Sequence, residues 1–472
     1  MSETASMAGT GRAGAYNPLT QSPHILRALL TFALPIVGGN ILTQFYNLAD
    51  SVVVGQFVGS DALAAVGSCF AIQMIAASLF TGLGSGAGVL VAQFCGARNR
   101  RDMSITVCTA YILAFILGAV LTIVGMLASR PLLQLINTPE NILDDATAYL
   151  SIIFIGSIGH IFYQMGTALL RCMGDTRGPF LILLFCTTLN VGLDLLFVLV
   201  FGMGVPGVAW ATILAQALSA LLVILLTLRG GHGLIFNRET LRLNGARARQ
   251  IFAIGVPIAA QMILMSSGML VVQSLINSFG SAVVAANTAV QKVDGFLIQP
   301  MLAVGSAVTT FVGQNLGAGQ LRRSQRGTHL GGATIAVFCL AMALPVFFFG
   351  GSMVRLFANN QTVISIAGQA LKTLAFFYVF MGLTNIYTGA IKGAGTMMAP
   401  TVITVVNILV RVPFALFFIS RGESYMGIYY AMNISNIVAA SLTILYYFFG
   451  GWRKKAAAVE QRASPDAMTN PV

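Results

Sequence analysis

Residues 84–101 read GSGAGVLVAQFCGARNRR, and residues 305–322 read GSAVTTFVGQNLGAGQLR. The two stretches align at an offset of 221 residues. Further matches at this offset are Arg171 with Lys392, Gly174 with Gly395 and Pro179 with Pro400. Near the start of the chain the offset is 222, which pairs Pro35 with Pro257. A repeat of this length predicts a protein made of two halves with similar folds.

The composition places both halves in a membrane. Of the 472 residues, 57% are hydrophobic and 8% are charged, whereas soluble proteins average about 25% charged residues. Apolar stretches of roughly 20 residues, the length that crosses a hydrocarbon core, begin near positions 28, 62, 104, 147, 179, 206, 250, 283, 328, 365, 400 and 427. The sequence therefore predicts an all-α integral membrane protein, with twelve transmembrane helices in two pseudo-symmetric six-helix bundles.

The distribution of Lys and Arg predicts the orientation. Most of the 26 basic residues fall in segments that lie on one side if both termini are inside, and cytoplasmic loops retain positive charge. Both termini are therefore expected in the cytoplasm, and the plasma membrane of a bacterium is the expected location. Because the basic residues are spread over short loops, the net charge of +12 indicates topology and not a nucleic-acid partner.

A basic linker divides the chain. The predicted organisation is a flexible cytoplasmic tail over 1–24, an N-terminal lobe over 25–229, a cytoplasmic linker over 230–249, a C-terminal lobe over 250–451 and a second cytoplasmic tail over 452–472. The six cysteines show no paired spacing typical of a metal site, so neither a metal nor a cofactor is expected.

Three of the 14 acidic residues lie at membrane depth, namely Asp50, Asp194 and Asp294. A carboxylate in hydrocarbon is costly and marks a functional site by default. At about 1.5 Å per residue, Asp50 and Asp194 both reach the outer half of the membrane.

Other polar residues reach the same depth. Asn190 precedes Asp194 by four positions, so their side chains share one helical face. Thr212 and Tyr149 lie at a similar level on their own helices. Five polar groups, including Asp50, are therefore expected to converge, either as a coupling site or as a hydrogen-bond network that only fixes packing.

Two carboxylates in a medium of low dielectric constant cannot both ionise cheaply, so one proton would be shared between them. Such a pair is a proton-responsive switch, and it could equally bind Na⁺ together with an amide and a hydroxyl. The coupling ion is thus expected to be a proton, with sodium left open.

Several motifs resemble one known family. They are Pro35-Ile36-Val37, Tyr46-Asn47-Leu48-Ala49-Asp50-Ser51, Gly96-Ala97-Arg98 with its second copy Gly313-Gln314-Asn315-Leu316-Gly317-Ala318-Gly319, and Asn190 with Asp194. Together they are similar to the multidrug and toxic compound extrusion (MATE) family, and most similar to its DinF-like branch. The resemblance implies two six-helix lobes around a V-shaped cavity, with antiport of drugs or metabolites against protons or sodium.

The resemblance also implies roles for individual residues. Asp50, Asn190, Asp194 and Thr212 match positions that bind the coupling ion in the N-terminal lobe, and Tyr149 is a weaker match. The NorM-like branch also uses carboxylates in its C-terminal lobe. The predicted seventh and tenth helices of this chain have no acid, which argues against sodium coupling in the second lobe.

Three charged residues of the second half lie near the predicted midplane: Lys292, Asp294 and Arg411. Arg411 occupies the repeat position of Asn190, so the duplicated site has become basic. An ion pair between Asp294 and Arg411 is the leading interpretation, because intramembrane charges usually find partners. Contact with substrate and a latch between the lobes are the alternatives.

Pro35 and Pro257 fall inside the first and seventh predicted helices, where each removes a backbone hydrogen bond. We hypothesise that protonation of Asp50 or Asp194 changes the bend at Pro35 and closes the N-terminal half of the cavity. A static kink needed for packing is the alternative.

These features predict a secondary active exporter of amphipathic, often cationic small molecules, which exchanges them for protons by alternating access. Its partners would be such drugs, dyes or metabolites and the lipid bilayer, with no nucleic acid, and a monomer is expected. The alternatives are a sodium-coupled drug antiporter and a flippase for a lipid-linked precursor. An enzyme is not expected, because the sequence shows no convergent nucleophile or metal site.

Overall fold

The computed structural model describes residues 17–229, 231–355, 360–422 and 424–462. These residues form α-helices and no strand. The helices of the first half are α1 (Pro18–Gln21), α2 (Ile25–Val53), α3 (Ser60–Gly96), α4 (Arg100–Leu135), α5 (Glu140–Ile155), α6 (Ser157–Cys172), α7 (Arg177–Leu195) and α8 (Gly204–Arg229). Those of the second half are α9 (Gly245–Asn277), α10 (Ser281–Gly317), α11 (Leu321–Val354), α12 (Gln361–Ala375), α13 (Tyr378–Gly393), α14 (Met398–Ser420), α15 (Met426–Phe449) and α16 (Trp452–Arg462). Single π-helical turns extend α2 over Val54–Val58 and α7 over Leu196–Val200.

Ten helices in the described ranges are long and apolar enough to cross a bilayer. Two helix pairs, α5 with α6 and α12 with α13, are each bent by 51° at a short break. When each bent pair counts as one span, the total is the predicted twelve. The two pairs begin at Glu140 and Gln361, positions that are equivalent in the repeat. The repeat in the sequence is therefore also a repeat of backbone geometry.

The chain folds into two units. The first holds the described residues 17–23 and Phe45–Phe252, and the second holds His24–Gln44 together with the described residues from Ala253 to Arg462. The first part of α2 thus packs with the second unit, although the predicted N-terminal lobe includes it. The predicted lobe boundaries stay a prediction.

Small residues allow helices to pack closely in both units. A Cβ added to Gly88 of α3 would lie 2.7 Å from the Sγ of Cys172 on α6. A Cβ added to Gly389 of α13 would lie 2.5 Å from the carbonyl oxygen of Gly305 on α10. The backbones of α10 and α13 therefore touch at a point where no side chain fits.

The linker that follows α8 is folded against the first unit. The backbone amide of Ile235 donates to the Ser104 hydroxyl at 2.8 Å. Arg247, at the start of α9, forms a salt bridge with Asp102 at 2.7 Å. The linker after Gly230 thus packs against the N-terminal end of α4.

The last helix, α16, is anchored to the second unit by Trp452. This side chain is 1% exposed, and its indole N–H donates to the carbonyl oxygen of Tyr447 at 2.6 Å. The two aromatic rings also stack, with centroids 4.9 Å apart. The described part of the predicted C-terminal tail is therefore helical and packed against α10 and α11.

Candidate functional site

The five residues predicted to converge all lie in the first unit. We define the acidic site by these residues: Asp50 on α2, Tyr149 on α5, Asn190 and Asp194 on α7, and Thr212 on α8. Asp194 is fully buried and Asn190 is 1% exposed, while Tyr149 and Thr212 are also buried. The apolar core around them includes residues of the turn after α2 and of α3, α5 and α8. Four helices thus hold polar side chains in an apolar surrounding.

The structure brings Asp50 and Asp194 together. Their carboxylates are close enough for their charges to interact directly. Neither carboxylate forms a salt bridge with a basic side chain in the described ranges. A negative charge on this pair would therefore not be neutralised by a salt bridge with any residue that the structure describes.

The polar atoms of the acidic site are largely unpaired. Buried polar groups in folded proteins nearly always have hydrogen-bond partners, and each exception needs a reason. The buried atoms without a partner are Asp50 Oδ1, Asn190 Oδ1 and Nδ2, both carboxylate oxygens of Asp194, and Thr212 Oγ1. The charge interaction between the two acids is accordingly not a well-formed hydrogen bond, and the site can accept further hydrogen bonds.

Tyr46 is a member of this site that the sequence analysis did not single out. It lies close to Asp50, Asp194 and Thr212. Its position four residues before Asp50 places both on one face of α2, which is the signal that could have identified it. Tyr149 in turn lies close to Asp50, so two phenol groups flank one carboxylate.

The arrangement suits a proton or a small cation held by oxygen atoms. The described residues contain no group of three His, Cys, Asp or Glu side chains that could hold a metal ion. Two carboxylates, an amide and a hydroxyl offer oxygen ligands of the kind that hard cations prefer. The same carboxylates can share one proton.

The charges predicted for the second unit do not combine as expected. Asp294 on α10 accepts a hydrogen bond from the Tyr378 hydroxyl, whereas Arg411 on α14 bonds to neutral side chains. The predicted ion pair between Asp294 and Arg411 is therefore wrong. Lys292 is an exposed residue of α10. Residue counting placed these side chains at one depth, but it did not fix the directions in which they point.

The two prolines lie where the sequence predicted, inside α2 and α9. The carbonyl oxygen of Pro257 accepts a hydrogen bond from the Thr401 hydroxyl at 3.0 Å, which ties α9 to α14. Pro35 lies in the part of α2 that packs with the second unit, and Asp50 lies in the part that belongs to the first. Their proposed role as switches stays a prediction.

Comparisons with known proteins agree with this architecture. A family model described as MatE matches residues 35–196 and 257–417, once in each repeat. The probable multidrug resistance protein YpnP of Bacillus subtilis is 30% identical over 430 residues, which cover 90% of this chain and 95% of the relative. A FAD transporter of Shewanella oneidensis is 27% identical over 432 residues, covering 88% and 93%.

A solved structure also matches. The crystal structure of MATE in the bent conformation superposes with a TM-score of 0.85 at 23% identity, over 93% of this chain and 97% of that one. At this identity the match shows the fold. The two matches of the family model and the relative that is 30% identical over 90% of this chain show that this multi-pass membrane protein belongs to the MATE family of transporters, which includes multidrug efflux proteins.

Proposed function

We propose that this protein exports amphipathic, often cationic small molecules in exchange for protons, and that the acidic site carries the proton. The observation that carries the proposal is the pair of interacting carboxylates, Asp50 and Asp194, which have unpaired buried oxygens and no salt bridge with a described residue. The names of several relatives as multidrug resistance proteins support export of drug-like molecules.

The energy of one proton is sufficient for such export. A membrane potential of about 100 mV contributes roughly 2.3 kcal/mol per charge moved, and one pH unit adds about 1.4 kcal/mol. One proton can therefore sustain a gradient on the order of several hundredfold for a substrate without net charge, and about tenfold per pH unit for a monovalent cation, because exporting that charge cancels the electrical contribution. In the proposed cycle the two halves alternate between outward-open and inward-open states, in a plasma membrane with both termini in the cytoplasm.

The test is efflux of ethidium from proteoliposomes under an imposed pH gradient or sodium gradient. Wild type is compared with Asp50→Asn and Asp194→Asn. Asp61→Asn is the matched control, because Asp61 is an exposed acid in the first turn of α3. We expect export driven by the pH gradient, lost in both site variants and retained in the control.

Two results would contradict the proposal. Export driven by a sodium gradient alone would make the same residues cation ligands. Proton-driven export that survives both substitutions would place the coupling site elsewhere.

A further inference from the structure

The second copy of the acidic site has lost both of its acids. Asn190 and Asp194 match at the offset of 221, and Asp50 matches at the offset of 222 that holds near the first helix. The equivalents are Arg411 for Asn190, Ala415 for Asp194 and Val272 for Asp50. Ala415 and Val272 are buried. These three matched positions therefore carry two carboxylates in the first repeat and one cation in the second.

Among the described residues, the guanidinium of Arg411 bonds only to neutral groups. Its Nε donates to the Ser435 hydroxyl at 3.0 Å. Its Nη2 donates to the side-chain carbonyl oxygens of Asn407 at 3.0 Å and Asn436 at 3.2 Å. These contacts fix the orientation of the guanidinium between α14 and α15, but they do not neutralise its charge.

One side of the guanidinium remains available. Arg411 Nη1 makes no hydrogen bond with any residue that the structure describes, and the side chain is partly exposed. Among the described side chains, no carboxylate forms a salt bridge with it. A cation at membrane depth is costly unless it is paired, and the planar guanidinium matches carboxylate and phosphate geometry.

We propose that Arg411 is a substrate subsite that binds an anionic group, either a carboxylate or a phosphate. This inference rests on the proposed function and narrows its substrate class. The preferred substrates are amphipathic molecules that carry such a group, including zwitterions in which it accompanies a cationic centre. Simple cations lack the group that Arg411 recognises.

A purely structural role makes a different prediction. If Arg411 only fastens α14 to α15, its removal lowers the stability of the protein and weakens the binding of all substrates alike. If it binds an anionic group, its removal changes the preference between two substrates that differ in that group alone.

The test uses rhodamine B, which carries a free carboxylate, and its ethyl ester. Binding of each dye to the full-length protein in nanodiscs is measured by fluorescence polarisation, for wild type, Arg411→Gln and Arg411→Lys. Arg421→Gln is the matched control, because Arg421 is an exposed arginine that directly follows the same helix. Melting temperatures are measured in parallel.

We expect wild type to bind the acid about tenfold more tightly than the ester, which is the size of one charged hydrogen-bonded contact. Arg411→Gln should abolish this preference by weakening the binding of the acid and leaving that of the ester unchanged. Arg411→Lys should keep part of the preference, and Arg421→Gln should keep all of it.

The proposal is overturned if wild type shows no preference for the acid, or if Arg411→Gln keeps that preference. It is also overturned if Arg411→Gln binds both dyes equally more weakly and has a lower melting temperature. Failure of the proposed function is recognised separately. Wild type and Asp50→Asn would then both prefer the acid in binding, although wild type would show no proton-driven export.

Discussion

Asp50 and Asp194 belong to different helices, α2 and α7, yet their carboxylates interact directly in a buried setting. Both oxygens of Asp194 lack a hydrogen-bond partner. A site of this kind is destabilising in the folded protein, since desolvated acceptors and like charges both raise its free energy. Function and stability should therefore oppose each other at this position.

Asp194→Asn should accordingly stabilise the protein while it abolishes proton-driven transport. Asparagine carries no charge, so the substitution removes the repulsion from Asp50, and its amide N–H can donate to the Asp50 carboxylate. An unsatisfied buried polar group costs about 1–3 kcal/mol, and such a hydrogen bond should recover part of this cost. We expect a higher melting temperature in detergent, measured beside the Asp61→Asn control. A lower melting temperature would mean that the Asp194 carboxylate is satisfied in the folded state.

Gly389→Ala should destabilise the second unit, because the added Cβ would lie 2.5 Å from a backbone oxygen of α10. Overpacking of this kind typically costs about 1–3 kcal/mol. Gly332→Ala on α11 is the control, because its nearest neighbour, the Tyr387 hydroxyl, would be 3.7 Å away. The control should be neutral or gain up to about 1 kcal/mol from helix propensity. Equal melting temperatures of the two variants would rule out the close contact between α10 and α13.

Asp175, in the turn between α6 and α7, should make stability depend on acidic pH. Burial alone would raise the pKa of its carboxyl, but the His232 side chain, whose Nε2 lies 3.6 Å from Oδ2, and a hydrogen bond from the Gly178 amide outweigh burial and lower the pKa. Because the pKa is lower in the folded state, the stabilisation is present above the unfolded value of about 3.9. It is lost as the pH falls through the folded value.

The corresponding variant is Asp175→Asn. It should lose about 1.5–3 kcal/mol at pH 7, the range for a hydrogen bond to a charged group, and this difference from wild type should vanish at low pH. Thermal unfolding across acidic pH checks the expectation. A difference that stays constant with pH would mean that the Asp175 charge does not stabilise the fold.

Pro35→Ala should slow transport about tenfold, which corresponds to roughly 1.4 kcal/mol in a conformational barrier. The expected cause is the restored backbone hydrogen bond, which straightens α2. Pro345→Ala, inside α11, is the matched control and should transport normally. Initial rates of dye efflux test this prediction. A normal rate for Pro35→Ala would support a static kink.

The spans and the repeat were predictable because each rests on a long pattern. Twelve apolar stretches and a constant offset leave few alternative folds. The acidic site was predictable for a related reason, since acids at membrane depth are rare and two of them fell at one level. Its function as a coupling site stays a prediction.

Other features depend on the rotation of each helix and on the directions of side chains, which the sequence does not specify. Residue counts gave the depth of Asp294 and Arg411 but not the rotation of their helices, so the predicted ion pair was wrong. Tyr46 was missed because tyrosine in an apolar helix is common. The linker after α8 is held partly by a hydrogen bond from the backbone amide of Ile235. No sequence pattern identifies the partner of a backbone amide.

The anchoring of α16 by Trp452 has a spectroscopic consequence. The chain holds two tryptophans, and the other, Trp210 on α8, belongs to the first unit and is 36% exposed. Replacing either one by Phe would leave a single tryptophan, in one unit, which can be excited selectively over the tyrosines. The emission of Trp452, stacked on Tyr447, would then report release of the last helix, and that of Trp210 would report events in the opposite repeat, without a dye attached to any cysteine.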